Sequence, residues 1–259
     1  MQPLITVSDA VSIGLIFSRL VAFFSAFPVI NSNFVPLNVR IMLVIAFSFF
    51  ILKYIPIQDI NVNNISLSWI FLLVLKELII GFALGILTQT IIAIFSYAAE
   101  IISYFMGLTI ANVFDPTFGQ VSVIDRFFIL LFYLLFFVSG SYLVFIAGLI
   151  KSFEIIPLFE LKLNFNGFIY ILDKVYLLFL LALKMAFPFI VILLMVNIAL
   201  ALINRLIPQI NVFIVGLPLQ IFVGLLSLAL GSSAIIFFAN SVIRKFIEYY
   251  LFSIKAFGS

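Results

Sequence analysis

The side chains able to do chemistry in this chain are few. Arg19, Lys76, Glu77, Glu100, Lys184 and Arg205 lie inside or at the edge of long apolar blocks. A charge at mid-depth in a bilayer costs about 2.5–3.5 kcal/mol on insertion scales. Residues placed there serve an aqueous path or proton relay, or they form ion pairs between helices or subunits. Glu100 is the carboxylate best placed for a relay. Histidine and cysteine are absent. That removes the commonest metal ligands, the Ser-His and Cys-His nucleophile pairs, and disulfides. Lys184 with a serine would permit Ser-Lys hydrolysis, but no spacing supports it. No phosphate loop, dinucleotide fingerprint or metal motif occurs. The expectation is no enzyme, no cofactor and no metal.

The elements that position these charges are apolar. Of the 259 residues 66% are apolar and 9% charged, and the mean hydropathy is +1.40. A soluble domain carries roughly 45–50% apolar and about 25% charged residues. The chain therefore reads as an integral membrane protein. Its 34 Phe residues imply large contact areas against lipid or other subunits. The net charge of +3 is spread thinly and leaves no nucleic-acid footprint. Residues 1–11 lack a basic n-region, so no cleavable signal peptide is expected.

A bilayer span needs about 20 mostly apolar residues. Six blocks approach this, at about residues 11–30, 39–55, 69–105, 127–150, 168–203 and 212–240. The second is short. The third is too long for one straight span and is either one protruding helix or two pieces. Ser66 or Ser68 is placed to cap it, and Gly81-x-x-x-Gly85 offers a close-packing face. Pro28, Pro188 and Pro218 fall within apolar segments and predict kinks. Asn197 and Asn204 share a helix face, and Asn204, Arg205, Pro208 and Gln209 mark the corner of a helical hairpin. The tail from Ser241 has three basic residues against one acidic, which favours the cytoplasm. No short-period repeat or linker is visible, so residues 1–259 read as one domain.

The central stretch, residues 100–126, is polar and turn-forming where its neighbours are apolar. Gly107, Asn112, Asp115-Pro116 and Gly119-Gln120 are residues that a continuous membrane helix avoids. Val113, Phe114 and Phe118 keep it too apolar for a solvated loop. Broken backbone at membrane depth is tolerated only when buried in protein or lining a cavity.

This stretch, from Glu100 through Met106-Gly107-Leu-Thr to Phe114-Asp115-Pro116, resembles the central signature of the FliR family. These are flagellar subunits of the type III secretion export gate. The run from Asn204 through Pro208-Gln209 to Gly216-Leu-Pro218-Leu resembles the family's second signature. Arg19-Leu with Pro28, and Glu77 to Gly85, also fit, so the resemblance spans essentially the whole chain. It implies an all-α membrane protein with a FliP-like part (1–167) followed by a FliQ-like hairpin and tail (168–259). The role implied is a structural and gating subunit of the channel passing unfolded flagellar substrates across the bacterial inner membrane, at the basal body. Implied partners are FliP-like, FliQ-like, FlhB-like and FlhA-like subunits, the substrates and membrane lipid. The loop after Met106 is implied to be a channel plug, with Met106, Gly107, Val113, Phe114, Asp115, Pro116, Phe118 and Gly119 in it. Glu100, Asp125 and Arg126 then become anchors at its base, with Arg19 and Lys184 as buried charges. From the residues alone, a secondary transporter is the alternative, since broken helices and buried charges suit one, although repeats are absent.

Overall fold

The computed structural model describes residues 7–30, 35–54, 66–108, 123–161, 164–207 and 212–258. These residues form helices and turns, with no strand among them. The helices are α1 (Val7–Ala26), α2 (Leu37–Tyr54), α3 (Leu67–Phe105), α4 (Val123–Val138), α5 (Ser141–Ile155), α6 (Phe165–Val175), α7 (Leu177–Leu206), α8 (Val212–Leu230) and α9 (Ser232–Gly258). Four apolar stretches are long enough to cross a membrane, or up to six when each of two bent helix pairs counts as one span. The chain is an all-α membrane protein, as its composition requires.

Local sequence explains most helix boundaries. Ser66 caps α3, its Oγ accepting the Trp69 amide at 3.3 Å. The long third block is a single helix of 39 residues, about 58 Å at 1.5 Å per residue and longer than a bilayer core. The expected single block at 127–150 is instead two helices. Gly140 stands between them with φ 66°, a left-handed conformation that does not continue a helix. Pro28 does not kink α1, because the helix has already ended at Ala26; the residue before a proline is pushed out of the α region. Pro188 and Pro218 do lie inside α7 and α8.

The chain forms two interleaved compact units. The first comprises Met1–Thr90, Gly140–Val175 and Lys245–Ser259. Here α1 packs on α2, and α1 lies directly on α3. A Cβ at Gly81 would overlap the Arg19 carbonyl oxygen, and one at Gly85 would stand 2.8 Å from Ala26 Cβ. The Gly81-x-x-x-Gly85 pair thus lets two backbones touch, as its spacing predicts. Phe23 and Phe27 of α1, Phe145 and Phe153 of α5 and Tyr250 of α9 are buried in the core of this unit. Tyr250 satisfies its buried hydroxyl by donating to the Phe145 carbonyl at 2.9 Å.

The second unit comprises Ile91–Ser139 and Tyr176–Arg244. The residues that α4 buries, Ile124, Asp125, Phe128, Phe132 and Phe136, recur at helical spacing along one stripe. Phe132 meets Phe95 at 5.3 Å and Phe136 at 5.1 Å between ring centroids. α7 and α8 pack on one another, joined through residues 207–211. The helical hairpin read from the sequence is therefore present. Pro208 and Gln209 at its corner lie outside the described residues, and Asn204 and Arg205 are exposed at the end of α7.

Candidate functional site

Two polar constellations stand out in an otherwise apolar molecule, one in each unit. In the first unit, Arg19 of α1 meets Glu77 of α3, with Nε 2.5 Å from Oε2. Lys76, the preceding residue on α3, lies 2.8 Å from Glu77 Oε1. All three side chains are at most 1% exposed. One carboxylate therefore sits between two cations, each oxygen facing one of them.

The excess positive charge is met by acceptors from the far end of α5. Arg19 donates to Ser152 Oγ and to the Ile156 carbonyl, both at 3.1 Å, and its guanidinium lies 4.2 Å from the Phe153 ring centroid. Lys76 Nζ donates to the carbonyls of Pro157, Leu158 and Glu160 at 2.7, 3.1 and 2.9 Å. The end of a helix leaves carbonyls without intrahelical partners. Here the two buried cations gather the carbonyls of the chain leaving α5, so the cluster ties α1, α3 and the 156–160 turn together. Of the two roles open to these charges, interhelical pairing is the one this geometry fulfils. Ser152 and the turn carbonyls were not legible in the sequence, because they lie far along the chain and carry no spacing signal.

In the second unit the polar groups gather where α3 ends. Met106 is fully buried, and its side chain occupies the space a Cβ at Gly224 of α8 would take. Gly107 closes the helix with φ 74°, its amide donating to the Tyr104 carbonyl at 3.0 Å. A Cβ on Gly107 would lie 2.8 Å from Leu217 and 2.9 Å from Gln220. Gln220 in turn donates its side-chain amide to Asn197 of α7. Asn197 is thus paired and half-buried, while Asn204 is exposed. Gln220 carried no signal of its own in the sequence. Asp125, in the first turn of α4, accepts a hydrogen bond from Ser96 of α3 and is 8% exposed.

The other residues singled out from the sequence fall elsewhere. Glu100, Arg126 and Lys184 are exposed on this chain and form no ion pair with a described residue. Val113, Phe114, Asp115, Pro116, Phe118 and Gly119 lie outside the described residues. Among the described residues no three His, Cys, Asp or Glu side chains gather to hold a metal.

Residues 10–246 match the family described as bacterial export proteins, family 1. The chain belongs to this family. Among similar proteins is the flagellar biosynthetic protein FliR of Aquifex aeolicus (strain VF5), 32% identical over 96% of this chain and 96% of its own length. FliR of Escherichia coli (strain K12) is 34% identical over 80% of this chain and 78% of its own. FliR of Bacillus subtilis (strain 168) is 33% identical over 90% and 91%. The family match covers the N-terminal Arg19 region, the central stretch and the α7–α8 hairpin together. The likeness is thus to the whole chain, and the resemblance first noted from scattered motifs is the family's.

Proposed function

We propose that this chain is a structural and gating subunit of the flagellar type III export channel, set in the bacterial inner membrane at the flagellar basal body. The observation that carries this reading is the near-complete mutual coverage with the FliR of Aquifex aeolicus. The reading is non-enzymatic. It accords with a site whose charges are committed to holding helices and not to a reactive group.

The surface of the chain supports assembly with other membrane subunits. Large apolar side chains stand exposed along α2, α3, α7, α8 and α9, among them Met42, Phe71, Met195, Phe222 and Phe237. Such surface needs lipid or apolar partners. FliP-like, FliQ-like, FlhB-like and FlhA-like subunits supply them in this proposal. Residues 1–167 form the FliP-like part and 168–259 the FliQ-like hairpin and tail. Met106 and Gly107 are the foot of the plug, and the segment continuing through Phe114, Asp115-Pro116 and Phe118 fills the lumen until unfolded substrate displaces it. An apolar filling suits that task, since it excludes water and ions.

Purification of the tagged full-length chain from a flagellated host tests the proposal. It should emerge with a FliP-like oligomer, and its gene deletion should abolish flagella. Shortening residues 107–120 within the assembled complex should raise its ion conductance. Recovery as a lone monomer, or normal flagella in the deletion strain, would refute the reading.

A further inference from the structure

Within the first unit, the start of α6 and the end of α9 enclose a groove of about 570 Å³. Asn166, Ile169, Tyr170 and Asp173 line it from α6, and Phe252 and Lys255 from α9. Asp173 and Lys255 are exposed and have no ion-pair partner among the described residues. In a chain with so few charges, an unpaired carboxylate and an unpaired ammonium share one groove. The nearby Lys174 is differently engaged, its ammonium lying 4.8 and 5.2 Å from the ring centroids of Tyr170 and Tyr249.

Aromatic rings and basic side chains together mark the headgroup level. Tyr170, Tyr249, Phe252, Lys174 and Lys255 make such a band here. Exposed Phe165, Ile169 and Leu172 continue from it as an apolar rail.

We propose that this groove binds the headgroup of a phospholipid bearing both a phosphate and a primary ammonium, of the phosphatidylethanolamine type. Lys255 pairs with the phosphate, Asp173 accepts from the ammonium, and the apolar rail takes the upper acyl chain. A purely anionic headgroup would meet the Asp173 carboxylate. A choline headgroup has no N–H to donate to it. The site is independent of the export reading, since it rests on side chains that reading does not use.

The test uses the full chain in detergent with whatever subunits it retains, titrated with phosphatidylethanolamine, phosphatidylcholine or phosphatidylglycerol and read by native mass spectrometry. The ethanolamine lipid should be retained about two- to fivefold better than either other lipid, as an exposed charge pair allows. Lys255→Gln should lower retention of the ethanolamine lipid, and Asp173→Asn should lower it while raising that of phosphatidylglycerol. Both side chains are exposed, and the wild-type comparison needs no variant. Equal retention of the three lipids would overturn the proposal, as would variants that leave the preference unchanged. A photo-crosslinking residue at Ile169 should yield a phospholipid adduct in membranes. A polypeptide adduct there would assign the groove to a protein partner instead.

Discussion

Glu77 is the most consequential single position in the described structure, and its replacement can be worked through. Glu77→Gln keeps shape but removes the anion between Arg19 and Lys76. Two buried cations are then left side by side, each still bound to carbonyls but with no countercharge. Removing one partner of a buried pair costs about 3–5 kcal/mol. With roughly 2–4 °C per kcal/mol for a chain of this size, melting in detergent should fall by about 6–20 °C. The companion triple replacement Arg19→Met, Lys76→Met and Glu77→Leu removes all three charges and keeps volume. Apolar replacement of a whole buried ion cluster is often neutral or better, so it should recover a large part of the loss. The 156–160 carbonyls would still lack donors, which keeps recovery incomplete. Thermal melting of the parent, single and triple variants, with limited proteolysis near residues 156–160, reads the effect. A single variant that melts within about 2 °C of the parent, the shift of roughly 1 kcal/mol, would refute the argument that Glu77 balances two buried cations.

Two further outcomes follow from the second unit. Gly107→Ala places a Cβ in a left-handed conformation, costing about 1–2 kcal/mol, and presses it on Leu217 and Gln220; reduced melting temperature and reduced swimming are expected, measured in purified protein and in soft agar. Asn197→Leu or Gln220→Leu alone leaves one amide of the pair without its partner, a loss of about 1–3 kcal/mol, whereas replacing both should cost less than the two losses added; a double-mutant cycle on melting temperature checks the sign of the coupling.

Much of the architecture was legible because a bilayer makes simple demands. A chain this apolar must be helical, since each backbone group has to be satisfied inside its own segment. That logic recovers the first three apolar blocks as α1, α2 and α3, the Ser66 cap, the glycine face on α3 and the α7–α8 hairpin. It also singles out Arg19, Lys76 and Glu77, because charges in apolar blocks are costly whatever their partners. The breaks at Gly140 and at Gly231, where α8 and α9 meet at a 63° bend, were missed, since a lone glycine in an apolar run is compatible with a continuous helix.

What the tertiary structure decided is which charges pair. Glu77 and Lys76 are neighbours in sequence, but Arg19 and the 156–160 carbonyls reach them only because α1 and α5 fold onto α3. Glu100 and Lys184, equally conspicuous in the sequence, stand exposed on the folded chain. Hydropathy grades a charge by its sequence neighbours, while burial depends on which face of the helix another helix covers. The same holds for Asn197 and Asn204, seven residues apart on one helix. One meets Gln220 and the other does not, because the contact is made by α8 and not by the spacing.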